Sequence, residues 1–230
     1  MQIVIICGGL ATRLGELTKN IPKSMMDVDG KPFLQHQIEN LKKHGFDEFI
    51  LCVGYLSKKI KNYFGNGEKF EVKIKYSYDG EKPLGPIGAI KNAEDLLDED
   101  FFILYGDSYL TVDYKKAYSK YKKCKKPACM VVYKNYNKYD KSNLIIKNNL
   151  VVGYGEDART KDMVYVDYGT SILSKKTLDL IPENTMFSTG EFFSKLIENK
   201  ELCAFEAKKR FYHIGNPEAL EELRKYIKNQ

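Results

Sequence analysis

Ile3, Val4, Ile5 and Ile6 form an unbroken apolar, β-branched run, with Gly8 and Gly9 close behind. A strand with no polar alternate position has no face to give to water, so it must lie in a sheet covered on both sides. That requirement selects helices packed over both faces of a mainly parallel sheet. The paired glycines let the backbone turn sharply and approach a ligand where a Cβ would intrude. Successive amides in such a loop can line an anion site. Arg13 adds a planar cation suited to phosphate oxygens, and Lys23 adds a point charge after Pro22. Together these features read as a polyphosphate site, and the competing reading is a plain strand-to-helix turn with solvated basic residues.

The chain continues as alternating strands and helices. Residues 32–43 place Phe33, Leu34, Ile38 and Leu41 near helical spacing and stop at His44-Gly45. A short apolar strand is expected over 48–53 and a helix over 56–64, ended by Gly65-Asn66-Gly67. Residues 72–76 alternate as a half-exposed strand, 86–97 form a helix with Pro86 in its first turn, and 101–105 form a buried strand. Ligands of such sheets gather beyond the carboxyl ends of the strands. The Gly-Gly loop, the segment around 81–92 and Gly106-Asp107 all fall there. Asp107 can present a carboxylate into a cleft, and Mg²⁺ needs only one or two of these beside phosphate and water oxygens. An Asp capping the next helix is the alternative.

Further on, 128–133 and 144–147 are strand-like, with Asn148-Asn149 turning a hairpin into 150–154. Residues 155–162 read as an exposed loop. The strand from Val164 to Leu173 carries Asp167 and Gly169, and that glycine also suits a bulge. Ser188 and Glu191 have capping-box spacing ahead of an amphipathic helix, and a last amphipathic helix runs through Ile227. No repeat or linker calls for a second domain, so residues 1–230 are expected to form one.

Composition narrows the function. Net charge is +6, carried mostly by lysine, with arginine at 13, 159, 210 and 224. No nucleic-acid motif accompanies it, so the lysines read as solvated faces whose field favours anionic substrates. No apolar run approaches the roughly 18 residues of a membrane span. The start shows no secretory pattern. The five cysteines are scattered without a C-x-x-C pair, which suits reduced thiols in the cytoplasm. Neither G-x-x-x-x-G-K-[ST] nor G-x-G-x-x-G occurs, which removes the main support for P-loop and dinucleotide folds.

The first loop resembles the signature of sugar-1-phosphate nucleotidylyltransferases, Gly-Gly-x-Gly-Thr-Arg-Leu with a Pro-Lys pair further on. Gly8, Gly9, Thr12, Arg13, Leu14, Pro22 and Lys23 match, and Ala11 stands where the family has Gly. Leu84, Gly85, Gly88 and Ala89 resemble the family's nucleotide-base motif, with Pro86 and Ile87 as departures. Gly106-Asp107 resembles its metal motif. The Asp167 strand loosely resembles a sugar-facing Asn-Ala-Gly strand, sharing Gly169. Near the C-terminus His213-Ile-Gly-Asn-Pro is similar to Asp-Ile-Gly-Thr-Pro, with His213 in place of a second metal-binding Asp.

The resemblance implies a Rossmann-like nucleotidyltransferase fold with a small β-rich sugar-binding part. It implies attack of a sugar-1-phosphate on the α-phosphorus of a nucleoside triphosphate, with Mg²⁺ as cofactor and Mn²⁺ as an alternative. Arg13, Lys23 and Asp107 are then catalytic, and Cys7, Gly8, Gly9, Leu10, Ala11, Thr12, Gly85 and Gly88 hold the nucleotide. Asp167, Gly169 and Glu191 hold the sugar, and Asp107 with His213 holds the metal, unless His213 contacts phosphate directly. The compact length is most like the enzymes that activate heptose- or hexose-1-phosphates for surface polysaccharide, with GTP ahead of other nucleotides. Transfer to a non-sugar phosphate, or binding without turnover, remains open, as does an oligomer.

Overall fold

The computed structural model describes residues 1–9, 20–80, 82–155 and 160–229. In chain order the strands and helices are β1 (Gln2–Ile6), β2 (Asp27–Val28), β3 (Lys31–Pro32), α1 (Phe33–Lys43), β4 (Glu48–Val53), α2 (Ser57–Phe64), β5 (Lys73–Tyr78) and α3 (Gly85–Asn92). There follow β6 (Asp100–Tyr105), β7 (Ser108–Tyr109), α4 (Tyr114–Cys124), β8 (Ala128–Lys134), β9 (Leu144–Lys147) and β10 (Leu150–Tyr154). The chain then runs through β11 (Tyr165–Ser174), α5 (Thr189–Glu198), β12 (Leu202–Glu206), β13 (Tyr212–His213) and α6 (Pro217–Lys228).

Nine of these strands share one mixed sheet in the order β5-β4-β1-β6-β11-β8-β12-β10-β9. From β5 to β6 every pairing is parallel. β11 then enters antiparallel to both β6 and β8, β8 and β12 run parallel, and β10 opposes both its neighbours. The expected parallel sheet is thus its first half, and the second half is mostly antiparallel.

β1 lies inside the sheet, with Ile3, Val4 and Ile5 fully buried. Ile3 and Ile5 face a core shared with α1, α2 and α4, while Val4 faces another built with α3 and α5. Each such side chain contributes about 1.5–3 kcal/mol of burial, and this two-sided cover is what the apolar run demands. A third cluster seats α6 through Leu220 and Leu223 against Val28, Phe33, Tyr109 and Ile214.

Local signals hold closely. Asn148 and Asn149 take φ of 50° and 62° between β9 and β10, the left-handed pair of a tight hairpin turn. Gly169 has φ +93° where the β11–β8 register slips between Asp167 and Ser171, so the embedded glycine is a bulge. Ser188 and Glu191 complete both bonds of a capping box on α5. The helix expected over 86–97 ends at Asn92, because Ala93 turns to φ −89°, ψ 2° and its amide bonds Ile90; a separate 3-10 turn covers Glu94–Leu96. Among the described residues no helix is long and apolar enough to cross a membrane.

Candidate active site

Beyond the carboxyl ends of β1 and β6 the chain opens into a cleft of about 700 Å³. Gly8 and Gly9 form one wall, and Tyr105, Gly106 and Asp107 form another beside them. Lys23 and Ser24 close the charged end, while Asp79, Pro83, Gly85 and Pro86 line the opposite part with Met186 and Thr189. Gly8, Gly9, Lys23, Gly85 and Asp107 therefore meet around one space, with Cys7 at its floor. Leu10, Ala11, Thr12 and Arg13 lie outside the described residues.

Lys23 stands at the start of a one-turn helix after Pro22, and its ammonium donates to Asp107 Oδ2 at 2.6 Å. Ser108 Oγ donates to Asp107 Oδ1 at 3.2 Å. Burial would push the Asp107 carboxyl up, but the Lys23 charge and hydrogen bond outweigh it, with His213 and Ser108 adding to the effect, and the group is held below the ordinary carboxylate range. Cys7 behaves oppositely. Burial drives its thiol up to about 12, against a smaller pull from Ser24, so it offers backbone and neutral bulk, not a nucleophile.

The turn carrying Asp107 is braced from two sides. Gln37 of α1 donates its amide to Tyr105 O at 2.9 Å and to Ser108 O at 2.7 Å. From the C-terminal end, Ile214 N bonds Asp107 O at 3.0 Å, and β13 pairs His213 with Ser108 of β7.

His213 Nδ1 accepts the Gly215 backbone N–H at 3.0 Å. Together with the β13–β7 pairing, that bond holds His213 beside the turn that carries Asp107. For a divalent cation, Asp107 supplies a carboxylate, a hard oxygen donor. That fits the way Mg²⁺ binds through one or two carboxylates and completes its shell with water and substrate phosphates. Among the described residues no group of three or more His, Cys, Asp or Glu could hold a metal by itself.

Other expected residues stand further back. Gly88 is buried in α3, where a Cβ would lie 2.5 Å from Thr185 O, so it serves close packing and does not line the cleft. That packing is fixed by Phe187 N to Leu84 O at 2.9 Å and Ile87 N to Phe187 O at 3.2 Å, which hold the 84–87 segment against the 185–188 segment. Asp167 accepts from Tyr105 Oη at 2.9 Å and from the Gly169 amide at 2.9 Å, one hydrogen bond behind the cleft wall. Glu191 accepts from the Ser188 amide and hydroxyl as an exposed cap. Asp79, Tyr105 and Gln37 escaped the sequence reading; an aromatic directly before Gly106-Asp107 was the one signal in reach for Tyr105.

Residues 2–230 match the nucleotidyl transferase family. The chain is 34% identical to a D-glycero-α-D-manno-heptose 1-phosphate guanylyltransferase of Campylobacter jejuni, over 95% of this chain and 96% of the relative. It is 30% identical to the enzyme of the same name from Aneurinibacillus thermoaerophilus, over 99% of this chain and all of the relative. The crystal structure of HddC from Yersinia pseudotuberculosis complexed with GMP-PN superposes with a TM-score of 0.81 at 29% identity, covering 98% of this chain and 99% of that one. A sheet that ends its central strands in a Gly-Gly turn and a lysine-paired aspartate, matched along almost its whole length by such relatives, settles the lineage: the chain belongs to the nucleotidyl transferase family.

Proposed function

We propose that this protein is a cytoplasmic sugar-1-phosphate nucleotidylyltransferase that joins GTP to a heptose- or hexose-1-phosphate. The products are a nucleotide sugar for surface polysaccharide and pyrophosphate. The observation that carries the reading is the Lys23–Asp107 pair, 2.6 Å apart, facing Gly8 and Gly9 in one cleft. The two heptose-1-phosphate guanylyltransferase relatives support the substrate class.

In the reaction a sugar-phosphate oxygen attacks the α-phosphorus of the triphosphate. The new P–O bond forms as the bond to the β-phosphate's bridging oxygen breaks, and pyrophosphate departs with that electron pair. The attacking phosphate is already an anion, so no general base is needed, and the protein's task is positioning and charge neutralisation. Lys23 offsets charge where the two phosphates meet, and the motif assigns Arg13 and the loop from Gly8 to Thr12 to the triphosphate. Asp107 would hold the divalent cation, Mg²⁺ or Mn²⁺, with His213 beside it as a second ligand or as a contact to phosphate. When bound, that cation supplies further neutralisation of phosphate charge. Tyr105, with Asp167 behind it, and the α5 start with Thr189 and Glu191 border the acceptor.

The test is a matrix of the four nucleoside triphosphates against sugar-1-phosphates, read by pyrophosphate release with Mg²⁺ or Mn²⁺. GTP with a heptose- or hexose-1-phosphate is expected to give the highest rate. Lys23→Ala should lower turnover by about 3–4 kcal/mol of transition-state stabilisation, on the order of 10²–10³-fold, as for loss of a preorganised charge partner. Wild-type turnover in that variant at saturating substrates would remove Lys23 from the mechanism.

A further inference from the structure

Cys124, Cys129 and Cys203 meet on one face of the sheet, and none of them lines the cleft. β8 and β12 are parallel neighbours, and their register sets Cys129 directly beside Cys203. Both side chains are buried in the core that α4 covers with Ala117 and Tyr121. Cys124 is the last residue of α4, one helical turn beyond Tyr121 and two beyond Ala117, so the helical period turns it to the same face. It packs against that core from the edge. Cys203 is the centre of the group, since its thiol is in hydrogen-bonding contact with those of both Cys129 and Cys124. All three are free thiols.

Access separates them. Cys129 and Cys203 are 0% and 1% exposed, so no dissolved reagent reaches either. Cys124 is partly exposed. It also closes its helix, with Lys125 behind it at φ 52°. Helix ends open locally at low cost, which lets the Cys124 sulfur move toward its neighbour. Burial, and then the Cys203 thiol, push the Cys124 thiol up to about 11 against smaller pulls from the Lys126 amide and the Lys120 charge. Thiol–disulfide exchange runs through the thiolate, so the group rests reduced and reacts only where an oxidant persists. We propose that Cys124 and Cys203 are an oxidisable dithiol: a low-molecular-weight disulfide enters at Cys124, and Cys203 completes an internal disulfide between α4 and β12. In the first step the Cys124 sulfur bonds one sulfur of the reagent, the reagent's S–S bond breaks, and one thiol leaves with the Cys124 proton. Cys203 then attacks the Cys124 sulfur, and the second thiol leaves with the Cys203 proton. The protein gives up two hydrogens with their electrons, and the reagent is reduced to two thiols. Because Tyr121 and Lys122 of the same helix hold Asp100, the new bond ties β12 through α4 to β6, the strand that leads to Asp107.

The experiment incubates the full chain with excess oxidised glutathione, alkylates the remaining thiols and maps disulfides by mass spectrometry. The five free thiols are expected to fall by two, with one internal bond, Cys124 to Cys203. Cys129→Ala should form the same bond, and Cys124→Ser should keep Cys203 as a free thiol. A glutathione adduct that persists on Cys124 overturns the proposal, because it marks a surface thiol with no resolving partner. So does a Cys129–Cys203 bond in Cys124→Ser, which would mean that the reagent enters elsewhere. Retention of all five thiols, or a bond confined to Cys7 and Cys52, overturns it as well. If Cys129→Ala does not fold, the wild-type map and Cys124→Ser decide.

Discussion

At the residue scale, the reach of the site depends on a side chain that touches no substrate. Gln37 supplies both hydrogens that hold the carbonyls of Tyr105 and Ser108, on either side of Asp107. Replacing it by leucine keeps the volume and strands two buried acceptors, each worth about 1–3 kcal/mol when left unmade. Gln37→Leu is therefore expected to lose about 2–4 kcal/mol in urea unfolding and to lower kcat as the Asp107 turn loosens. A variant with wild-type midpoint and turnover would show that β6 and β13 brace the turn without it. The difference between Gln37 and Asp107 also marks what a sequence can disclose. Asp107, Lys23 and Gly8 each sit beside a local sign: an apolar strand, a proline, a second glycine. Gln37 is one polar residue on an amphipathic helix. Only the folded sheet, with α1 against β6, brings it to the turn that carries Asp107.

At the element scale, α4 is tied to the first residue of β6. Asp100 accepts from Tyr121 Oη at 2.6 Å, Lys122 Nζ at 2.9 Å and Tyr118 Oη at 3.3 Å. Burial works to raise its pKa, but the Tyr121 hydrogen bond and then Lys122 prevail, so the folded value lies below the ordinary one. A carboxylate with a depressed folded pKa stabilises above its unfolded value, about 3.9, and loses that contribution as pH falls through the lower folded value. Asp100→Asn should thus trail the wild type by about 1–2 kcal/mol at pH 7, with the gap closing below about pH 3.5. Urea midpoints across that range measure it, and a gap independent of pH would mean that the loss is packing alone. The cap on α5 gives a second case with its own acid dependence, because the Ser188 amide and hydroxyl hold the Glu191 carboxylate below its ordinary range. Ser188→Ala removes the acceptor for the Glu191 amide and should cost about 1 kcal/mol, or about 2–4 °C in Tm for a chain of this size. This cap was legible beforehand because Ser188 and Glu191 are three residues apart. The α4 anchor was not, because a Lys- and Tyr-rich helix hides its buried face and its acceptor belongs to a neighbouring strand.

At the scale of the whole molecule, the decisive junction is the antiparallel seam where β11 joins β6, pairing Thr170 with Leu104 through to Ser174 with Asp100. Alternating strands and helices foretold the parallel half, since a strand–helix–strand crossover brings the chain back to run in the same direction. They could not foretell that β11 would come between β6 and β8, a pairing set by residues distant in sequence. The seam is also buried: Thr170 Oγ1 donates to Ile103 O at 2.7 Å, and both large cores cross it. One core joins Ile3 and Phe49 to Cys129, Val166 and Cys203, and the other joins Val4 and Ile50 to Met130, Leu173 and Ala204. With apolar contact continuous across the sheet, neither half can unfold and leave the other its core. The expectation is a single calorimetric transition with van't Hoff and calorimetric enthalpies in agreement, although chains above about 150 residues often depart from two-state behaviour. Leu202→Ala, in the half remote from the nucleotide cleft, tests this sharply. Its buried side chain should cost about 2–5 kcal/mol, and the loss should move the whole transition, including the melting of the cleft followed by a bound fluorescent guanine nucleotide. A split into two transitions, with the cleft retaining its wild-type midpoint, would mean that the β11–β6 seam is a boundary between separately stable halves.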